Sequence, residues 1–192
     1  MTFVIIPGLD GSDEYHWQSR WEADWLPSAV RIEPLSWTAP DLADWSGAVT
    51  TAVARATSPI TFVAHSLGCH VLAHWLTAAP SSSVRAAPPV RGAFLVAPPD
   101  PLAPTFPVER IPTFARIPSA PLGLPAVLVA SDDDPYCTID AAARLADGWS
   151  IPLVTEHGLG HINSDSNLGL WPHGQRLLTS FLAGLGIPIS VG

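Results

Sequence analysis

The stretch Ile60-Thr-Phe-Val-Ala-His-Ser66-Leu-Gly-Cys-His-Val-Leu-Ala-His-Trp75 decides the fold. Ile60 to Ala64 is an apolar run of the β type, and it breaks at His65-Ser66-Leu67-Gly68. A helical pattern then continues from Leu67 to Ala79 and stops before Pro80. A chain that passes from strand to helix within one or two residues places Ser66 at an elbow. Its side chain is lifted off the sheet edge, and the unpaired N–H groups of the helix start point toward the same place. Small residues must flank such a turn. Ala64 and Gly68 meet that need, although the commoner pattern G-x-S-x-G has glycine where this chain has Ala64. A second reading makes Ser66 a helix N-cap, a position that serine favours.

Outward from the elbow, strand and helix patterns alternate. Further strands are predicted at Phe3 to Ile6, Val30 to Leu35, Gly92 to Ala97, Ala126 to Ser131 and Leu153 to Glu156. Trp17, Trp21 and Trp25 repeat every four residues and share one helix face. Leu42, Trp45, Val49, Ala52 and Val53 describe a second amphipathic helix, Thr138 to Gly148 a third, and Trp171 or Pro172 to Leu185 a closing one. This order predicts an α/β fold, a mostly parallel sheet with helices on both faces and right-handed crossovers, in a single domain over 1–192 without internal repeats. From Pro98 to Pro125 prolines recur too often for a central strand or a long helix. A loop with a short helical turn near Phe114 is expected there, and its place after a strand end makes it a candidate rim for a ligand site.

Composition narrows the function classes. The 192 residues are 47% hydrophobic, enough for one substantial core, and the eight tryptophans suit core and groove packing. The formal charge is −8 and the nine basic residues are all arginine, scattered along the chain, which argues against nucleic acid as a partner. No apolar segment is long enough for membrane insertion, and the opening run Thr2 to Ile6 ends at Pro7-Gly8 without a basic flank, so a cytoplasmic location is expected. Cys69 and Cys137 are expected to be reduced, with Cys69 a packing residue.

Two loops supply the other candidate groups. Ser131-Asp-Asp-Asp-Pro-Tyr-Cys137 ends a predicted strand, with Asp134 the favoured acid, Asp132 the alternative, and a solvated acidic turn the plainer reading. Three adjacent aspartates do not reproduce an EF-hand. Gly158-Leu-Gly-His161 follows the last predicted strand, and its glycines let a loop carry the His161 imidazole toward Ser66. His157 competes as the base but has no glycine before it. Its H-x-x-x-H spacing with His161 resembles a metal pair, yet no helix and no adjacent glutamate complete a zinc motif, so no metal is expected. The order Ser66, Asp134, His161 is that of the α/β-hydrolase triad, and each residue follows a predicted strand. Such a site also needs two backbone donors for an oxyanion. Leu67 is one, and Leu9 in Pro7-Gly8-Leu9-Asp10-Gly11 is the other, with Asp10 as alternative.

Ile6-Pro-Gly-Leu9 with His16-Trp17 and Trp21, Ala64-His-Ser-Leu-Gly68, Asp134-Pro-Tyr136, and Gly160-His-Ile-Asn163 with Trp171-Pro172 occur together over nearly the whole chain. In these the sequence resembles the small single-domain serine hydrolases related to retinoblastoma-binding protein nine and their bacterial relatives. The resemblance implies an α/β-hydrolase fold with no large lid domain, with Ser66, Asp134 and His161 as the matching triad, and it favours Asp134 over Asp132. The expected function is hydrolysis of a small acyl ester, or a related thioester or amide, through an acyl-Ser66 intermediate without metal or organic cofactor. Phe106, Phe114 and Trp171 are candidates for an acyl pocket or, equally, for the core. The alternatives are an aminoacyl-amide peptidase and a non-catalytic interaction protein that binds a protein partner through the proline-rich segment on a hydrolase scaffold.

Overall fold

Six apolar runs become one parallel sheet. Strands β1 (Thr2–Ile6), β2 (Ala29–Arg31), β3 (Ile60–His65), β4 (Val90–Val96), β5 (Ala126–Ser131) and β6 (Leu153–Glu156) lie in the order β2-β1-β3-β4-β5-β6 in a computed structural model that describes residues 1–78, 89–115 and 119–187. Every neighbouring pair is parallel. Both faces of β3 and β5 are covered along their whole length, which is why these strands are mostly apolar rather than alternating. In register, Ala64 lies beside Ile6 and Leu95, and His65 beside Val96, so the carboxyl ends of the central strands finish close together.

Helices α1 (Trp17–Trp25), α2 (Leu42–Arg55), α3 (Leu67–Thr77), α4 (Ile139–Trp149) and α5 (Pro172–Gly184) cover the sheet. Alternate strand residues face different layers, as the pleat requires. Val4, Ile6, Phe62, Ala64, Leu95 and Leu128 pack with α2, α3 and α4. Phe3, Ile5, Val63, Phe94, Val96 and Val129 pack with α1 and α5. The tryptophan stripe of α1 is a stack within the second layer, with Trp17 and Trp21 ring centres 4.5 Å apart and Trp21 and Trp25 4.9 Å apart. Local chemistry starts the helices where the sequence suggests. The Asp41 carboxylate accepts from the N–H groups of Ala43 and Asp44 at α2, and the Thr138 hydroxyl accepts from Ala141 N–H at α4.

The strand expected at Val30 to Leu35 is cut to Ala29–Arg31. Ile32 N–H still donates to the Ile5 carbonyl, but Pro34 has no N–H to give a ladder, and Leu35 is 92% exposed with its N–H donated to the Asp44 carboxylate. Helix α3 ends at Thr77, and the expected end at Ala79 lies outside the described residues, as does Pro80. In the proline-rich segment the turn expected near Phe114 is a 3-10 helix at Pro112–Phe114. Among the described residues no helix is long and apolar enough to cross a membrane.

The contact that fixes the elbow is between α3 and the end of β1. A β-carbon at Gly68 would lie 2.4 Å from the Ile6 carbonyl oxygen and 2.5 Å from that of Pro7, both backbone atoms that cannot yield without moving β1. Gly68→Ala is therefore expected to destabilise the fold by about 2 kcal/mol, the scale of overpacking a close-packed site, although alanine in a free helix would be favoured over glycine by about 1 kcal/mol. Urea unfolding checks this, and an unchanged midpoint would mean that the contact is loose.

Candidate active site

Ser66 sits at the turn between β3 and α3 with φ 54° and ψ −126°, a region that non-glycine residues rarely occupy. Although it holds the N-cap position, its side chain caps nothing. The hydroxyl instead lies 2.9 Å from His161 Nε2. His161 Nδ1 lies 2.8 Å from Asp134 Oδ2 and 3.1 Å from Oδ1. An ionised carboxylate only accepts, so the imidazole proton belongs on Nδ1, Nε2 is left as an acceptor, and Ser66 O–H donates to it. The Asp134 side chain is almost fully buried, and Oδ1 also accepts the Tyr136 N–H at 2.9 Å. The favoured acid and base thus join Ser66 in one hydrogen-bonded line.

The alternatives form a different pair. His157 Nδ1 lies 2.6 Å from Asp132 Oδ2, with 82% of the His157 side chain exposed, and neither residue lines the cleft that holds Ser66. The hydrogen bond between them raises the His157 pKa and lowers that of Asp132. Asp133 has a third task, accepting Ser131 O–H and Gly160 N–H, each at 2.7 Å. Asp132 also accepts Gly158 N–H at 3.0 Å. Three successive aspartates therefore grip three successive parts of the 157–161 loop, in which Gly158 and Gly160 take positive φ.

His65, Trp17 and Trp21, which the sequence offers only as motif or packing residues, hold the chain from His161 to Leu170. His65 Nε2–H donates to the His161 carbonyl at 3.0 Å. Trp17 Nε1–H donates to the Ile162 carbonyl at 2.8 Å, and Trp21 Nε1–H to that of Leu170 at 2.6 Å. The signal lay in indole N–H groups on a buried helix face, which need acceptors when they leave water. Tyr136 packs edge-on to the His161 ring at 4.7 Å. His16, His65 and His161 form a file with ring centres 4.7 and 5.1 Å apart. Burial pushes His65 well below its ordinary pKa and His16 down to about 3, so both rings stay neutral beside His161 and place no second charge there.

The turn after β1 packs on the serine. A β-carbon at Gly8 would lie 2.6 Å from Ser66 Cβ, so the main chain passes against the elbow. Asp10 N–H is committed to the Trp37 carbonyl at 2.9 Å, which removes Asp10 as the second oxyanion donor. Among the described residues, Leu9 and Leu67 N–H have no protein acceptor, and both residues line the cleft. This cleft has a volume of about 510 Å³, and Pro99, Thr105, Phe106, Pro107, Arg110 and Ile111 of the proline-rich segment form one wall, as expected of a rim. Of the three aromatic candidates only Phe106 lines it. Phe114 is fully buried against Trp45, and Trp171 is buried against Trp17 and Trp21, because both serve the two core layers.

Among the described residues no group of three or more His, Cys, Asp or Glu side chains is arranged to hold a metal. Burial raises both thiol pKa values, that of Cys137 to about 12, and Cys69 S–H donates to the Val96 carbonyl. Neither sulfur is a ready nucleophile.

A family model described as serine hydrolase matches residues 3–180. A protein described as a YdeN-like hydrolase from Pectobacterium atrosepticum is 32% identical, with a TM-score of 0.79 over 97% of this chain and 92% of that one. The ydeN gene product of B. subtilis is 23% identical, with a TM-score of 0.75 over 95% of this chain and 100% of that one. A thermophilic esterase from Thermogutta terrifontis, solved with butyrate bound, is 17% identical, with a TM-score of 0.67 over 100% of this chain and 85% of that one. At these lower identities the last two likenesses show the α/β-hydrolase fold alone. No curated protein matches the chain.

The buried imidazoles make stability depend on pH. Desolvation lowers His16 to about 3 and His70 to about 4 from 6.5, and lowers His65 in the same sense. The unfolded chain therefore binds more protons than the folded one below pH 6.5. The stabilisation is complete above that value and is lost as pH falls toward 4, with a slope of about 1.4 kcal/mol per pH unit for each histidine. Exposed His157, raised by Asp132, acts weakly in the opposite sense. Urea unfolding at pH 7 and pH 5 is expected to show this loss. His70→Gln, whose amide can still donate to the Pro99 carbonyl, should remove about a third of the pH dependence, whereas equal stability of the wild type at both pH values would contradict neutral burial.

Proposed function

Since this chain belongs to the serine hydrolase family, we propose that it cleaves a small carboxylic ester through an acyl-Ser66 intermediate, with His161 as general base and acid and Asp134 as its buried orienting carboxylate. The observation that carries this reading is the continuous line from Ser66 Oγ to His161 Nε2, at 2.9 Å, and from His161 Nδ1 to Asp134 Oδ2, at 2.8 Å.

As the substrate enters, Ser66 Oγ attacks its carbonyl carbon while the hydroxyl proton passes to His161 Nε2. The carbonyl oxygen becomes an oxyanion, and the N–H groups of Leu9 and Leu67 are the donors that receive it. Collapse of the tetrahedral intermediate breaks the bond to the alcohol oxygen, which takes the proton from His161. Water then enters, gives a proton to His161 Nε2, and attacks the acyl carbon. A second collapse releases the acid and returns the proton to Ser66 Oγ. Asp134 stays ionised throughout, holding the tautomer and facing the imidazolium. No metal or organic cofactor is needed for any step.

An ester is preferred over a thioester or amide because the sequence carries no dedicated coenzyme-binding or amine-binding motif. The fold shared with a butyrate-bound esterase supports a short acyl group without fixing it. The motifs at Ile6 to Leu9, Ala64 to Gly68, Asp134 to Tyr136 and Gly160 to Asn163 support kinship with the hydrolases related to retinoblastoma-binding protein nine, inside the wider family. A cytoplasmic setting agrees with two buried free cysteines.

A fluorophosphonate probe read by intact mass and peptide mapping tests the nucleophile. The wild type should be labelled at Ser66, and Ser66→Ala should lose labelling while keeping its fold. Asp134→Asn is expected to lower kcat by about 10⁴ through loss of the correct imidazole tautomer, whereas Asp132→Asn should stay near wild type. A folded wild type that does not label, or Ser66→Ala that retains ester hydrolysis, would reject the assignment.

A further inference from the structure

We propose that Arg110 is a positioning residue for the oxyanion turn: from the proline-rich rim it clamps Asp10 and so holds the neighbouring Leu9 N–H toward Ser66. The inference rests on the proposed role of Leu9 in ester hydrolysis.

Asp10 takes φ 65°, a left-handed conformation that costs any residue with a β-carbon and needs support from its surroundings. Two contacts give that support. Its N–H donates to the Trp37 carbonyl at 2.9 Å. Its carboxylate receives both arms of the Arg110 guanidinium, Nη1–H to Oδ2 at 3.1 Å and Nη2–H to Oδ1. Arg110 Nε–H donates in addition to the Thr38 carbonyl at 3.1 Å. One planar side chain thus ties the turn after β1, the segment around Trp37 and the rim into a single unit, a geometry that guanidinium provides and an ammonium does not.

The base of this clamp is itself held. Ile111, just before the short 3-10 turn, and Phe114, its last residue, are buried in the core, and the Thr113 hydroxyl accepts Leu42 N–H at 3.0 Å. A displacement of the turn would also be felt at the nucleophile, since Gly8 leaves no room for a β-carbon against Ser66. Both partners of the ion pair are substantially exposed, with 44% and 54% of their side chains accessible, so the pair adds little to global stability. Its consequence is local, and it is read in the transition state, when the carbonyl oxygen gains charge.

The test compares p-nitrophenyl acetate hydrolysis by wild type, Arg110→Ala, Arg110→Lys and Asp10→Asn, together with the affinity of each for a phenylboronic acid that forms a tetrahedral adduct with Ser66. Deleting an oxyanion donor outright costs about 10²–10³ in kcat, so loosening one is expected to cost Arg110→Ala about tenfold in kcat with KM nearly unchanged. Boronate affinity should fall by a similar factor, and Arg110→Lys should recover only part of the loss. Wild-type kcat and boronate affinity in folded Arg110→Ala would overturn the proposal, as would a rise in KM alone, which would mark Arg110 as a ground-state substrate contact. If Arg110→Ala does not fold, the same criteria apply to Asp10→Asn, which preserves the shape of the turn. Fluorophosphonate labelling of wild-type Ser66 separates the two readings. Labelling with no effect at Arg110 removes the clamp alone, and no labelling removes serine catalysis and the clamp with it.

Discussion

The close approach of the α3 start to the end of β1 is the constraint on which the site depends. With Gly68 against the carbonyls of Ile6 and Pro7, and Gly8 against Ser66, the two strand ends meet with no side chain between them. Only then can the chain turn at Ser66 in a conformation that costs about 1–3 kcal/mol for a residue with a β-carbon. That cost is borne by paired backbone around the turn, including Ser66 N–H donated to the Val96 carbonyl at 2.9 Å. A helix-capping serine would relieve strain by turning its hydroxyl inward onto the helix. Here the hydroxyl turns away from α3, and the free N–H of Leu67 remains available beside it.

Placing the histidine is a separate problem, since His161 lies on a loop with no regular structure of its own beyond the 3-10 turn at Ser164–Ser166. The solution is many modest hydrogen bonds from rigid elements. The aspartates after β5 hold one side of the loop, while His65 at the end of β3 and Trp17 of α1 hold its carbonyls from the other. Each donor is neutral. A charged donor would place a second positive group beside His161, and burial prevents this by keeping His16 and His65 unprotonated.

Much of this arrangement was legible in the sequence because burial on both faces of a parallel sheet writes itself as unbroken apolar runs. Ala126–Ser131 appears with the expected limits for that reason. The edge strand β2 was harder to read. It has one strand neighbour, β1, and its run continues in apolar residues after pairing ends, so hydrophobicity alone overstates its length. The elbow was visible because a change of period is local. The difference between Phe106 and Phe114 was not, since both are apolar residues in one loop, and only the path of the backbone turns one to the cleft and the other to Trp45.

The three aspartates after β5 show why a site can be recognised before its members are separated. All three are acceptors at a strand end, and no spacing rule ranks them. Their roles separate only when the facing loop supplies distinct donors: an exposed imidazole with Gly158 N–H for Asp132, Gly160 N–H with Ser131 O–H for Asp133, and the His161 imidazole with Tyr136 N–H for Asp134. Burial then makes the chemical distinction. Asp132 and Asp133 face solvent, where their charge is screened, while the Asp134 side chain is only 1% exposed and directs its charge onto one imidazole nitrogen. An acidic turn read from sequence as solvated is therefore correct for its first two members, and the third turns inward to the His161 ring.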